Sequence, residues 1–250
     1  FLVLPTLFLI IGAFQDGSGN FTIDNILALS DPQIVSAYDV SLRISIVTAI
    51  GGALIGLVIA LAVIRGGLPD WLRSTVLTFS GVASNFAGVP LAFAFLATLG
   101  RLGLVTVILK TVFGIDIYRA GFNILSFWGL SITYLYFQIP LMILIIAPAI
   151  DGLKKEWAEA AATLGATPRQ FWLYVGFPVL WPNLLGTLSL LFANAFGAIA
   201  TAYALTGSSL NIVPILLFAQ IRGDVLHNPG LGAALALGMI VITALANVLY

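Results

Sequence analysis

Side chains able to do chemistry are scarce in this 250-residue chain, and their types exclude most reactions at the outset. With one histidine, His227, and no cysteine, a disulfide framework, a Cys/His zinc site and a Cys–His nucleophilic pair all lack material. His227 stands near Asp224 and Asn228, but one imidazole without a cluster reads as a hydrogen-bonding loop residue, not a metal site. A cradle for nucleotide phosphates needs Gly-x-x-x-x-Gly-Lys and then Ser or Thr; Lys110-Thr111 lacks the glycines. No catalytic residue and no metal ligand is assigned, so the chain is not expected to be an enzyme. Two groups of residues remain. One is a polar interruption at 148–182, with Asp151, Lys154, Lys155, Glu156, Glu159 and Arg169 between long apolar runs; the other is a set of amides and hydroxyls spaced along those runs.

Within the interruption, Trp157, Ala160, Ala161 and Leu164 recur at i, i+3, i+4 and i+7, one stripe of a short helix, with Glu156, Glu159 and Thr163 on the other side. Gly165 falls where a helix C-terminus favours a residue free to adopt positive φ. Thr167, Pro168, Arg169 and Gln170 then read as an N-cap, a proline in the first turn and the glutamine of a capping box. The second helix carries Phe171, Trp172 and Tyr174 until Pro178 and Pro182 remove backbone donors and bend the chain. The unit is either an amphipathic loop resting on a membrane surface or a hairpin whose small alanines let a partner approach closely.

The elements that hold these residues are dictated by composition. The chain is 60% hydrophobic and 8% charged, whereas a soluble domain carries roughly 25% charged residues; this is an all-α membrane protein. Ten basic and ten acidic residues leave no net charge and no basic stripe for nucleic acid. A helix needs about 20 apolar residues to cross the hydrocarbon core, and six transmembrane helices are expected: 1–14, 41–64, 74–100, 123–147, 183–205 and 231–250. The first is too short to span and the last stops abruptly, so both read as truncated. Residues 1–40 form the partial first helix and an outer loop with Asp16, Asp24, Asp31 and Asp39; 41–250 form the main transmembrane domain. The stretch Leu102 to Tyr118, with Arg101, Lys110, Asp116 and Arg119, is expected to lie at the outer interface. Lysine and arginine do not orient the chain: Arg65, Arg73, Lys154, Lys155 and Arg169 on one side balance Arg43, Arg101, Lys110, Arg119 and Arg222 on the other.

Ionisable residues at membrane depth usually mark ion relays. No expected span has one at its centre, so energy for transport must come from a partner. Polar residues do form stripes: Asn183, Gly186, Asn194, Gly197 and Thr201 on the fifth span, Asn123, Ser126, Ser131, Thr133, Tyr134 and Gln138 on the fourth, and Gly81, Ser84, Asn85 and Gly88 on the third. Either these pack helices against one another or some of them, with Tyr134, Gln138, Asn194 and Thr201 as candidates, line a translocation path.

The interruption resembles a known motif. Glu159-Ala160-Ala161, Gly165 four residues after Ala161, then Val175, Phe177 and Pro178 resemble the EAA loop of permeases from ATP-binding-cassette (ABC) importers, with Val175 and Phe177 where the family has Ile and Leu. The Leu-Leu-Phe-Ala-Asn at 190–194 and the loop from Asp224 to Gly230 look like the branch that imports polyamines, opines, phosphonates or ferric iron. The resemblance implies the type I importer permease fold, multi-pass in the cell (inner) membrane, with 148–182 cytoplasmic. It implies ATPase-coupling roles for Glu156, Trp157, Glu159, Ala160, Ala161, Leu164, Gly165 and Pro178. The implied partners, beyond the lipid bilayer, are a cytoplasmic ABC ATPase dimer, a second permease chain, identical or paralogous, and an extracytoplasmic solute-binding protein. No cofactor is expected on this chain; ATP and Mg belong to the ATPase. Polyamine heads the expected solutes, followed by opine, phosphonate and ferric iron. A secondary transporter or channel without an ATPase is the competing reading. A membrane-embedded enzyme would need paired carboxylates or a nucleophile with its base, and none can be assembled.

Overall fold

The computed structural model describes residues 3–222 and 228–248; Asp224 and His227, read above as loop residues, lie outside the described residues. The chain runs α1 (Val3–Ala13), α2 (Asp24–Leu27) with a 3-10 turn (Ala28–Ser30), α3 (Pro32–Arg65), α4 (Asp70–Asn85), α5 (Val89–Leu99), α6 (Leu104–Val112), α7 (Phe127–Asp151), α8 (Lys155–Thr163), α9 (Pro168–Phe171), a π-helical turn (Trp172–Gly176), α10 (Phe177–Phe196), α11 (Ile199–Thr206), α12 (Val213–Arg222) and α13 (Pro229–Val248). Among the described residues no strand forms; one isolated bridge joins Gln15 to Phe21. Among the described residues five segments are long and apolar enough to cross a membrane: Pro32–Arg65, Val89–Val112, Phe127–Asp151, Pro168–Phe196 and Pro229–Val248. Leu4–Ala13 and Val213–Arg222 are shorter apolar helices. The protein is an all-α, multi-pass membrane protein.

At the centre stands α7, packed on α3, α4 and α10. The α3–α7 seam is close because α3 presents no side chain at two crossings. A Cβ on Gly52 would come within 2.7 Å of the Gln138 Cβ, and one on Gly56 within 2.6 Å of the Met142 Cβ. Small residues four apart permit this approach where apolar side chains gain nothing by leaving lipid. Ala49, Ala60, Met142, Ile143 and Ile146 fill the half of the seam nearer the hairpin. Ile44, Leu130, Tyr134 and Phe137 fill the other half with residues of α5 and α11. On the flank, α1 lies against α13.

Four helix boundaries differ from those expected, each for a local reason. Before residue 41, α3 already begins at Pro32, because Asp31 caps it by accepting from the Gln33 N–H (2.8 Å) and Pro32 takes the first position, where no donor is needed. The expected third span is broken at 86–88, between α4 and α5: Gly88 holds φ +74 and Pro90 supplies no donor to continue the helix. The expected fifth span begins earlier and breaks within: Pro168 starts a run that continues through the π-helical turn into α10, and Gly197 and Ala198 then separate α10 from α11. Pro178 and Pro182 sit inside that run and do not end it. The wider register just before them, with the Phe177 N–H donating to the Trp172 carbonyl, accommodates the first of these prolines. Finally, α12 occupies part of the connection 206–230.

On the expected outer side, α6 is followed by a cluster in which Lys110 (3.1 Å) and Arg119 (3.7 Å) flank the Asp116 carboxylate. The Lys110 ammonium and then the Arg119 N–H hold the Asp116 pKa below the ordinary carboxylate value. Arg101 lies over the Tyr118 ring at 5.5 Å.

Candidate functional site

Two regions of the molecule carry the candidate residues. The first is the interruption, which folds as the helix–turn–helix its letters prescribe. Gly165 has φ +81; the Ala166 N–H reaches back to the Ala161 carbonyl and the Gly165 N–H to that of Ala162, both 2.9 Å, closing α8 with paired reverse bonds. The capping box of α9 is complete: the Thr167 hydroxyl accepts from the Gln170 N–H (3.3 Å) and Gln170 Oε1 accepts from the Thr167 N–H (2.7 Å).

No residue of α8 is buried. Ala158 and Ala161 lean towards α9 over a cavity of about 310 Å³, which Arg65, Phe171 and Trp172 also line. Glu156, Glu159 and Ala160 are exposed. Trp157 is 38% and Leu164 88% exposed, so the expected apolar stripe is covered within this chain at Ala161 and in part at Trp157, and is bare at Ala160 and Leu164. Pro178 sits exposed at the start of α10.

The root of the hairpin is tied down. Leu153 is buried, and the Arg65 guanidinium at the end of α3 donates to the carbonyls of Ile150 (3.1 Å) and Leu153. A cation on these last carbonyls complements the dipole of α7. Arg73 of α4 pairs with Asp151, the last residue of α7, at 2.6 Å.

The second region is a cavity of about 380 Å³ where the two helix breaks meet. Ser84, Ala87 and Gly88 come from the α4–α5 break, and Asn194, Gly197, Ala198 and Thr201 from the α10–α11 break. The breaks are joined by a bond from the Gly88 N–H to the Thr201 hydroxyl, 2.7 Å. Neither α5 nor α11 has a side-chain cap, so each brings the electropositive end of its backbone to this point, as α4 and α10 bring their electronegative ends. The lining contains no ionisable side chain.

Of the four pathway candidates, Asn194 and Thr201 line this cavity. Tyr134 and Gln138 are buried between helices. The Tyr134 hydroxyl donates to the Ala198 carbonyl (2.6 Å), and Gln138 Nε2 donates to the Leu191 carbonyl (2.8 Å). Both lie beneath the break and not in its lining. Ser84 and Gly88, placed in the third-span stripe but not among the four path candidates, also line the cavity, and sequence reasoning missed the helix break there and Ala198 as the carbonyl Tyr134 holds; the Gly88-Val89-Pro90 triplet was the available signal. Among the described residues no group of three or more His, Cys, Asp or Glu gathers as a metal would require.

Helices crossing a bilayer, broken around a polar cavity and extended by an exposed hairpin, define a membrane transport permease. The chain belongs to the family described as binding-protein-dependent transport system inner membrane component, whose model matches residues 52–250. It is 26% identical over 227 residues to a probable sulfate transport system permease protein of Nephroselmis olivacea, covering 88% of this chain and 76% of that one. It is also 26% identical over 226 residues to a putative ferric transport system permease protein of Haemophilus influenzae, covering 90% of this chain but 34% of that longer protein. In fold it is similar to a chain of a bacterial ABC transporter involved in alginate import, at TM-score 0.76 and 17% identity, covering all of this chain and 89% of the other. This is the architecture of an ABC-importer permease, a class in which ATP is hydrolysed on a separate subunit.

Proposed function

We propose that this chain forms half of the translocation pathway of an ATP-driven importer for a small polar solute, and that 148–182 is the hairpin through which a cytoplasmic ATPase dimer drives it. The observation that carries the reading is the uncovered face of α8. An apolar stripe of Trp157 and Leu164 beside Ala160, flanked by Glu156 and Glu159, is held rigid by a glycine cap and a capping box yet has no fully buried residue in its own chain. Such a face fits a groove on a partner, and Pro178 marks where its second arm passes from the π-helical turn into α10. A second permease chain is supported by α10, on which Asn183, Leu190, Asn194 and Gly197 are exposed. Amides facing lipid are costly, whereas an opposing copy or paralogue covers them and closes the cavity into a path. A loaded solute-binding protein docking outside supplies the second bias on the two packed states.

For the solute, the cavity lining offers neither a carboxylate to the polyamine that heads the expected set nor a basic side chain to an oxyanion, and helix starts and helix ends meet there alike. What supports a small oxyanion is the likeness to relatives named for sulfate transport. Sulfate is the preferred solute, phosphonate and ferric iron the next. The test is to solubilise the protein from its own cells and ask whether an ATPase co-purifies and is stimulated by the cognate binding protein loaded with sulfate. An ATPase present and stimulated is the expected result. An ATPase present but answering only to spermidine or ferric iron overturns the oxyanion, and no ATPase at all turns the reading to a carrier or channel.

A further inference from the structure

The hairpin is continuous in backbone with two membrane helices, α7 at its first arm and α10 at its second, and with α4 it is not. Through its second arm, α8 packs on α9, which runs on through the π-helical turn into α10; that route ends at Asn194 and Gly197, on one wall of the cavity. The opposite wall, Ser84 to Gly88, ends α4, and α4 has no covalent path to the hairpin shorter than the whole of α5, α6 and α7. It packs along α7, but apolar helix faces slide past one another in shear motions. What fixes its register is the ion pair at its other end: Arg73 Nη2 lies 2.6 Å from Asp151 Oδ2, in the residue where α7 gives way to the hairpin root. One turn of chain earlier, Arg65 holds the carbonyls of Ile150 and Leu153. The corner from α3 to α4 is thus fastened at both its ends to the base of the hairpin. As a source of stability the pair is slight, since Arg73 and Asp151 are 37% and 44% exposed and exposed pairs contribute little. Its position is what distinguishes it from the other described ion pairs, which join residues of one helix or one loop region on the outer side.

We propose that the Arg73–Asp151 pair is a coupling strut: it makes α4 travel with the hairpin, so that displacement by the ATPase reaches both walls of the cavity and not only the α10 wall. Arg73 and Asp151 are positioning residues, acting on Ser84 and Gly88 through the length of α4. The inference rests on the importer reading, and the experiment separates the two. Because the chain has no native cysteine, nitroxide labels can be placed at Thr163→Cys on α8 and Phe79→Cys on α4, both exposed, in the complex co-purified with its ATPase. With the pair intact, the separation of the labels stays narrow and unchanged when ATP and vanadate are added. With Arg73→Gln or Asp151→Asn it shifts or splits on adding nucleotide. In unlabelled complex the same variants raise ATP hydrolysed per sulfate imported by roughly threefold or more, while membrane levels hold. The exchange of the two, Arg73→Asp with Asp151→Arg, restores both readouts, which a loss of fold would not allow. Single variants with a narrow, nucleotide-independent separation overturn the strut while leaving the importer reading intact; so does a separation that moves in the wild type. If no ATPase accompanies the wild type, both fall.

Discussion

The hairpin and the cavity are built by opposite means. At the hairpin every turn is closed by a bond between near neighbours: Ala166 to Ala161, Gly165 to Ala162, Thr167 with Gln170. At the cavity the decisive bonds are long-range: Gly88 to Thr201, Tyr134 to Ala198, Gln138 to Leu191. A unit closed locally keeps its shape while its outer face stays free for a partner, and it can move as a body. A unit closed by contacts between distant helices is what such a movement can open. The difference separates the part that receives force from the part that responds to it, and substitutions should break the two in different ways.

The largest effect is expected at the hairpin. Gly165 has φ +81 with nothing within 4 Å of an added Cβ, so a side chain there meets no clash, only backbone strain of about 1–2 kcal/mol. A β-branched residue suffers most. Gly165→Val should unwind the turn between α8 and α9, abolish co-purification of the ATPase and leave the protein at normal levels in the membrane, since no residue of α8 is itself buried. Retention of the ATPase by this variant would place the docking face elsewhere. Next in size is Thr201→Val, which removes the acceptor of the Gly88 N–H. An orphaned donor between two helix ends costs about 1–3 kcal/mol, and here it falls on the joint between both cavity walls. ATPase co-purification should persist while transport drops by roughly tenfold; loss of the ATPase as well would show that the two regions are not separable.

The same contrast explains what could be read from the letters. Capping boxes and glycine stops are rules about residues three to five apart, so the hairpin was legible down to Thr167 and Gln170. Hydropathy, by contrast, records composition and not backbone path. The runs 74–100 and 183–205 are mostly apolar and carry no charge, and therefore read as unbroken spans, although breaks at Gly88 and Gly197 interrupt them. Facing was equally hidden. Because α7 is surrounded by α3, α4 and α10, its polar residues point to neighbours all round, and Tyr134 and Gln138 share a stripe with Ser131 without sharing a destination with Asn194. The π-helical turn had no signal beyond the prolines that follow it.

Asn194 sharpens the cavity side. It is exposed on α10, lines the cavity, and stands where α10 ends. Asn194→Leu keeps the helix and removes one uncharged hydrogen-bonding partner from the path. One such bond is worth about 0.5–1.5 kcal/mol, so half-saturation for sulfate in the reconstituted complex should rise about two- to tenfold. Basal ATP hydrolysis and assembly should stay unchanged. An unaltered uptake curve would remove Asn194 from the path and leave only the backbone of the breaks to meet the solute.

The smallest effect belongs to Gln138, and its smallness is informative. Its amide is buried, its Nε2 donates to the Leu191 carbonyl, and its Oε1 has no partner among the described residues. Gln138→Leu therefore loses one interhelical bond, worth about 0.6 kcal/mol on average within membrane proteins, and at the same time removes a buried acceptor left unpaired. Leu191 lies within α10, where its carbonyl can still accept from the main chain four residues on. The Cβ that meets the Gly52 crossing is kept, so the α3–α7 seam has no reason to open. Thermal unfolding of the purified variant should stay within a few degrees of wild type, and sulfate half-saturation should not move. A shift in half-saturation equal to that of Asn194→Leu would mean that solute reaches beneath the α10–α11 break, to the unpaired Oε1, and that the buried layer under the cavity is part of the path.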